Sequence, residues 1–340
     1  MPTTPPRHPA AAPGRRAIAA LFASTAAAAA LPRRPAAAQS AWPERPVRLI
    51  VPFGPGGAID TLSRAVAQPF QQIANGQPLV VENRGGAGGT IAGGVVATAR
   101  PDGYTLMMAD LGANAVGKEL IPSLSYDPLQ AFTPIVHLVN LPLVLIVRQG
   151  LEARDLAGLV ALSKRSRDGL TYASPGVGHP THLADELLAR TAGMKVTPVH
   201  YRSGSDVLRS LIQSETDFAV ISISTAMTFI RDGKVRPLAV ASTTQVPSLP
   251  DVPPIAATLP GFEATTWHGV AGPAGLPAEI VAAANRVFNA VATRPEVREA
   301  VERVQFGEIV GGTPEAFAAF IRKEAERWTP VIRAAGIRAE

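Results

Sequence analysis

Short runs of apolar and β-branched residues alternate, from Val47 onward, with stretches in which apolar residues recur every three or four positions. In one such stretch Ile59, Leu62 and Val66 fall on one face of a helix. The apolar runs predict seven strands, at 47–52, 79–83, 104–108, 143–147, 170–174, 217–222 and 235–241. Strands that alternate with helices are typical of parallel α/β layers.

The units repeat on both sides of an apolar segment at 136–147, and two further helices are predicted at 277–293 and 313–335. We therefore predict a two-lobed α/β fold in which each lobe is a mostly parallel sheet flanked by helices. Residues 39–138 plus 238–340 are expected to form lobe 1, and residues 139–237 to form lobe 2. A cleft between two such lobes is a place where small ligands bind.

The first 38 residues differ from the rest, with 15 alanines, five arginines and no acidic residue. Arg15 and Arg16 precede an apolar stretch at 17–31, and small residues follow at 36–38, which is the order of an export signal. The stretch is too short to span a bilayer. We expect cleavage after Ala38, or else near Ser40, and a periplasmic protein. The arginine pair resembles a twin-arginine signal, but ordinary secretion and an uncut arm rich in alanine and proline stay open.

The net charge of +5 comes from this segment alone. Removing its five arginines from the 32 basic residues leaves 27, which equals the number of acidic residues. A formally neutral body without a dense basic run is not expected to bind nucleic acid. The chain has no cysteine, which excludes disulfides, cysteine nucleophiles and thiolate metal sites.

Two glycine-rich loops each join a predicted strand to a helix, one at 53–60 and one at 82–91. Adjacent glycines let the backbone approach a ligand, and the free amides of a helix start favour an anion. The second loop has Ile91 where a dinucleotide fingerprint requires its third glycine, and neither loop continues into the Gly-Lys-Ser/Thr of a P-loop. We therefore predict no nucleotide cofactor.

A third loop, at 172–182, carries hydroxyl groups, glycines and two histidines ahead of a helix. His179 and His182 stand three positions apart, as metal ligands can, but no matching ligands occur at helical spacing elsewhere, so we predict no metal site. No serine of these loops lies in a G-x-S-x-G pattern. We interpret His182 as a hydrogen-bonding residue at a helix start rather than as a general base.

Several motifs, taken together, resemble one family. They are V-P-F-G-P-G-G at 51–57 with Asp60, V-V-E-N-R at 80–84, P-D-G-Y-T-L at 101–106, Y-D-P at 126–128, G-K-V-R-P-L-A-V at 233–240 and L-P-D-V-P at 249–253. In this order and spacing they resemble the Bug family of extracytoplasmic solute-binding proteins, the receptors of tripartite tricarboxylate transporters.

The resemblance implies a type II-like, Venus-flytrap periplasmic binding protein that has no enzymatic activity and no cofactor. It implies a small organic carboxylate as ligand, transient contact with the permease subunits of a tripartite transporter, and a monomer. It also implies that the loops at 53–60, 109–114 and 174–182 line the cleft. The expected ligand-binding residues are Phe53, Pro55, Gly56, Gly57, Ile59, Asp60, Asp110, Ser174, Gly176, Gly178, Thr181 and His182.

Among the departures from the family pattern, two bear on the expected site. Asp110 follows the third strand where small residues are frequent, so one hypothesis has it face the cleft and pair with the ammonium of an amino acid. The alternative is that Asp110 points outward or caps the next turn. His268 follows Trp267 where the family often has phenylalanine, and we interpret it as a packed histidine near the cleft or hinge.

Two alternative functions remain beside transport. One is a sensor that presents its closed form to a signalling receptor. The other is a secreted hydrolase or isomerase that uses His182 with Asp60 or Ser174, which requires these groups within hydrogen-bond reach of one substrate position.

Overall fold

A computed structural model describes residues 1–6 and 42–339. The expected export signal at 1–38 therefore lies, apart from its first six residues, outside the described residues. In these two ranges every helix is too short or too polar to span a lipid bilayer.

In the described part of the chain, ten strands form one sheet. They are β1 (Val47–Val51), β2 (Leu79–Asn83), β3 (Thr105–Ala109), β4 (Phe132–Arg148), β5 (Leu170–Ser174), β6 (Val196–His200), β7 (Phe218–Ser222), β8 (Val235–Val240), β9 (Thr265–Pro273) and β10 (Glu308–Ile309).

Within residues 42–339 there are ten α-helices. They are α1 (Ala58–Ile73), α2 (Thr90–Ala97), α3 (Gly117–Leu120), α4 (Leu156–Arg165), α5 (Pro180–Ala192), α6 (Gly204–Ile212), α7 (Ile223–Arg231), α8 (Ala278–Ala292), α9 (Pro295–Arg298) and α10 (Pro314–Ala335).

The order of the strands is β2-β1-β3-β9-β4-β7-β5-β6, and β8 and β10 also pair with β4. The outer strands of each half are parallel, with β1 between β2 and β3, and β5 between β6 and β7. At the centre β9, β8 and β10 all run antiparallel to β4. The two-lobed α/β fold is therefore confirmed, with a mixed sheet at its centre.

The 17-residue strand β4 belongs to both halves of the sheet. Its first part pairs with β9 from Phe132 to Pro142, and its second part pairs with β7 and β8 from Leu143 to Arg148. Because both halves share this strand, the chain first passes from one half to the other without a loop.

A buried carboxylate holds the long helix α10 against β9. Glu324 is 5% exposed, and its Oε2 accepts hydrogen bonds from the indole N–H of Trp267 on β9 and of Trp328 on α10, each at 3.1 Å. Arg327 adds an ion pair to the other carboxylate oxygen at 3.4 Å. These bonds satisfy the buried charge, which would otherwise be costly to desolvate.

No bounds were predicted for three strands, because their sequences are atypical. The edge strand β6 contains Pro198 and is largely exposed, so it has no apolar run. The buried strand β9 includes Gly269 and Gly272, which weaken the pattern that a strand normally shows. The third, β10, has two residues.

Candidate functional site

The loops that follow β1 and β5 approach each other from the two halves of the sheet. The ring centroids of Phe53 and His179 lie 5.1 Å apart. Two adjoining cavities of about 250 and 850 Å³ lie at this contact, and both are lined by Phe53, Gly54, Pro175, His179 and Arg202. We call them the smaller and the larger cavity.

Four helices begin at the smaller cavity. They are α1, α5, α6 and α7, whose capping residues Gly57, His179, Ser203 and Ser222 all line it. Gly57 and Ser222 make no side-chain capping bond, so the first amides of α1 and α7 keep their hydrogen-bonding capacity. Each helix start carries a partial positive charge of roughly half an elementary charge. The smaller cavity is therefore a place of positive potential.

The side chains around the two cavities have the same electrostatic character. Among the described residues, no Asp or Glu lines either cavity, whereas Arg202 lines both and Arg338 lines the larger one. Arg338 donates to the backbone oxygen of Glu119 at 2.5 Å. Arg202 is exposed and makes no hydrogen bond or ion pair within residues 42–339. Its guanidinium is therefore available to an anion.

Asp60 fixes the shape of the first glycine loop. Its carboxylate accepts hydrogen bonds from the backbone N–H of Gly56 at 2.9 Å, from Arg64 at 3.1 Å and from Asn83 at 3.0 Å. Burial would raise the pKa of Asp60, but these hydrogen bonds and the charge of Arg64 lower it below its usual value. The amide of Asn83 also donates to the carbonyl oxygen of Phe53 at 2.9 Å. Asp60 therefore positions the loop and does not itself line a cavity.

His179 and Thr181 order the start of α5. The Nδ1 atom of His179 accepts from the backbone N–H of Thr181 at 3.2 Å and lies 2.9 Å from the Thr181 hydroxyl. Burial lowers the pKa of His179 to about 4, so the ring is neutral at pH 7. Because the capping residue His179 is neutral, the positive charge of this site comes from the helix starts and Arg202.

The central strand β9 supplies the floor of the smaller cavity through Thr266 and His268. His268 is 4% exposed, and its Nδ1 has no hydrogen-bond partner among the described residues. Burial, together with the nearby His179 and His137, lowers the pKa of His268 to about 3, although a hydrogen bond to the backbone of Ala109 opposes this shift. The floor therefore carries a neutral imidazole.

Six of the twelve predicted ligand-binding residues line a cavity. Five of them, Phe53, Pro55, Gly57, Ile59 and Thr181, line the smaller one, and Gly176 lines the larger one. They come from the first glycine-rich loop, at 53–60, and from the third loop, at 172–182.

The hypothesis that Asp110 faces the cleft needs correction. The side chain is fully buried and lines neither cavity, and its Oδ1 accepts from the backbone N–H of Ala113 at 3.1 Å. This is the capping geometry of the alternative interpretation. Its Oδ2 has no partner among the described residues, and burial raises its pKa to about 7.

Five further predicted residues also lie outside the cavities. Gly56 and Asp60 hydrogen-bond to each other, as described above. Gly178 donates from its N–H to Nδ1 of His182 at 3.2 Å, and both residues are buried. Ser174 is fully buried, with its hydroxyl 2.8 Å from Nδ1 of His200. These residues stabilise the loops, because their polar groups are already hydrogen-bonded within the protein.

The proposed catalytic groupings do not form. His182 is 3% exposed, and burial, with His200 and His179 nearby, lowers its pKa to about 3. Such a ring is a weak base at neutral pH. Neither Ser174 nor Asp60 hydrogen-bonds to His182, since each has the other partners given above.

Five residues that line the smaller cavity were not among the predicted site residues: Arg202, Ser203, Ser222, Thr225 and His268. A signal existed for Ser203, because serine followed three positions later by Asp206 is a capping pattern, and the Ser203 hydroxyl does accept from the backbone N–H of Asp206 at 3.2 Å. His268 was noticed as a departure but was not counted as a site residue.

Comparisons with known proteins agree with this architecture. Residues 62–337 match the model of a family described as "Tripartite tricarboxylate transporter family receptor". The chain is 33% identical to the protein BugT of Bordetella pertussis over 94% of its own length and 97% of that protein.

Two solved structures with named ligands are also similar. Rpa4515 of R. palustris with adipate has 31% identity and a TM-score of 0.80, and the match covers 87% of this chain and 99% of that one. MatC of Rhodopseudomonas palustris with bound malate has 31% identity and a TM-score of 0.77, with 86% and 100% covered.

Proposed function

Because the chain belongs to the tripartite tricarboxylate transporter receptor family, we propose that it captures a small organic carboxylate in the cleft between its two lobes. The observation that carries the proposal is the meeting of four helix starts at one cavity whose lining has an arginine and no acidic side chain. Similar proteins with adipate and malate bound support a carboxylate as the anion.

The helix starts and hydrogen bonds from backbone amides can together supply the free energy of binding. One helix terminus stabilises a nearby charge by about 0.3–1 kcal/mol, so four contribute roughly 1–4 kcal/mol. A hydrogen bond to a charged group adds about 1.5–3 kcal/mol. Three such bonds from backbone amides, beside the helix starts, bring the total near the roughly 8 kcal/mol of a micromolar complex once ordering costs are subtracted.

Ligand contacts from both halves of the sheet would also close the cleft. Gly57 and Ile59 belong to one half, whereas Thr181, Ser203 and Ser222 belong to the other. A ligand that touches both sets does so fully only when the halves approach, and this differential contact is what shifts an equilibrium toward a closed state. The expected lobe boundaries, at residues 138–139 and 237–238, stay part of the proposal.

We further propose that the protein works in the periplasm as a monomer and delivers its ligand to the permease subunits of a tripartite transporter without chemical turnover. The family supports a transport role, and the low pKa values of His179 and His182, which make both rings weak bases at neutral pH, support binding without catalysis. Incubation with a panel of small acids should return every compound unchanged, and consumption of any of them would refute this part.

A charge placed in the cavity tests the proposal directly. Thr225 lines the smaller cavity on α7, and Thr228 lies exposed on the same helix. Thr225→Glu should weaken carboxylate binding at least about tenfold in calorimetry, because two like charges about 5 Å apart repel by several kcal/mol at an effective dielectric constant near 20.

Two matched variants control for size and for net charge. Thr225→Gln has nearly the same shape without the charge, and Thr228→Glu has the same charge outside the cavity. Both should bind with affinities close to the wild type. Equal loss in Thr225→Gln and Thr225→Glu would show that the cavity does not select anions, and the absence of binding by any small carboxylate would refute the proposed function.

A further inference from the structure

A third cavity, of about 710 Å³, lies against the strands that join the two halves of the sheet, and we call it the rear groove. Its floor is formed by Asn140 and Pro142 of β4 and by Thr265 of β9. Thr266, the next residue of β9, lines the smaller cavity instead. Because successive side chains of a strand point to opposite faces, the rear groove and the ligand cleft lie on opposite faces of the joining strands.

The walls of the rear groove belong to opposite halves, the first half containing β1 to β3 and the second containing β5 to β8. One wall is the segment 242–247, whose Val246 packs against the core between β7, α6 and α7 of the second half. The other wall includes the end of α8 and the segment 306–312, and Ala292 of α8 is buried in the core of the first half. A rotation of one half against the other therefore changes the width of this groove.

One segment bridges the two halves at the rear groove. Phe306 packs against the core of the second half, whereas Ile309, three positions later, packs against the core of the first. The φ angle of Phe306 is +56°, a region that bulky residues rarely adopt, and such strain persists only where surrounding contacts hold it. Gln305 donates from Nε2 to the backbone oxygen of Ala58 at 2.9 Å, and Ala58 lines the smaller cavity. The segment thus contacts both halves and reaches the ligand cleft.

The two halves are in contact across the cleft, as in a closed state. The rings of Phe53 and His179 lie 5.1 Å apart, and a Cβ on Gly88 would lie 3.6 Å from the backbone oxygen of Gly178. The rear groove is open in this arrangement. A hinge rotation about the joining strands that opens the cleft on one face brings the walls of the groove together on the other. The space in the rear groove therefore belongs to the closed state.

We propose that the rear groove sets the balance between the open and closed states of the cleft, so that a group filling the groove tightens ligand binding without touching the ligand. A filled groove keeps its walls apart, which disfavours the open state. Because the closed state holds the ligand, a larger closed population lowers the apparent dissociation constant. For this effect on affinity, though not for the conformational balance itself, the inference rests on the proposed function.

Two tryptophan substitutions, the wedge variants, test the inference from opposite walls. Thr243 and Thr293 are exposed and line the rear groove. With whichever of malate, succinate and adipate binds most tightly, Thr243→Trp and Thr293→Trp should each lower the dissociation constant about fivefold in calorimetry, as coupling between separate sites commonly does. Thr228→Trp places the same side chain at an exposed position outside the groove and both cavities, and should bind as the wild type does. Unchanged or weaker binding in both wedge variants would overturn the inference.

A distance measurement reports the conformational balance without any ligand. The chain has no cysteine, so Gln68→Cys on α1 and Gln213→Cys at the end of α6 supply two unique labelling positions, both exposed and one on each half. Spin-label distances in the unliganded wedge variants should shift in one common direction, which is that of the wild type saturated with the acid. Thr228→Trp should keep the wild-type distances. The absence of a shift in both wedge variants would refute the proposed balance.

The outcomes separate this inference from the proposed function. If an acid binds but the wedge variants change neither its affinity nor the label distances, the inference fails and the proposed function stands. If no acid binds while both wedge variants shift the label distances together, the proposed function fails and the rear groove keeps its conformational role.

Discussion

The buried carboxyl group of Asp110 should make the stability of the protein depend on pH in a way that one substitution removes. Burial raises its pKa to about 7, from a usual value of 3.8. A group whose pKa is raised by folding stabilises the folded state below its unfolded pKa, and this stabilisation is lost as the pH rises through the folded pKa. The difference of about three pK units corresponds to about 4 kcal/mol.

The substitution Asp110→Asn keeps the shape and the oxygen that accepts from Ala113, and it removes the titration. Any fixed cost of an unpaired amide is the same at every pH. The difference in unfolding free energy between variant and wild type should therefore move in favour of Asn by about 4 kcal/mol between pH 4 and pH 7, and level off above that.

Denaturant unfolding followed by tryptophan fluorescence measures this difference, because Trp42, Trp267 and Trp328 are all buried. Asp60→Asn is the control with the opposite sign. Since folding lowers the pKa of Asp60, its contribution is present at neutral pH and is lost in acid, so this variant should be most destabilised near pH 7. A stability difference for Asp110→Asn that does not change with pH would refute the reasoning.

Three more perturbations probe the cleft and the core. Arg202→Gln should weaken dicarboxylates more than monocarboxylates and reduce the salt dependence of binding in calorimetry, whereas Arg209→Gln, which alters an exposed arginine outside both cavities, should not. Burial lowers the pKa of His137 to about 4, so unfolding takes up a proton between pH 6.5 and 4, and His137→Phe should lose less stability over this range than the wild type. Gly178→Ala places a Cβ 2.8 Å from a leucine methyl at φ +76°, and should lower the melting temperature more than Gly150→Ala, where φ is +80° and nothing lies within 4 Å.

The α/β alternation was readable because buried strands such as β5 and amphipathic helices such as α10 have strong periodic patterns. The central strand β9 could not be delimited from its sequence, because its glycines are required by contacts that form only in the folded protein. A Cβ at Gly269 would lie 2.3 Å from the ring of Phe317, so the residue is small for a tertiary reason that local patterns do not carry.

The glycine-rich loops could be found from the sequence because each directly follows a predicted strand. The other residues that line the cavity could not be found in this way. Arg202, Ser222 and His268 come from three separate segments, and only the topology of the sheet brings them together. Asp110 was misplaced for a related reason. Its position after a strand suggested the cleft, whereas the turn that follows offers it the N–H of Ala113.

The pairing of β3 with β9 has a consequence for the order in which the molecule can assemble. Met107 pairs with Ala271, a separation of more than 150 residues along the chain. During synthesis from the amino terminus, the edge of β3 and one side of the first part of β4 stay unpaired until β9 has been made, and such edges invite association with other chains. Contacts this distant in sequence also slow folding. The last third of the chain therefore supplies the strand that pairs with these exposed edges and completes the sheet.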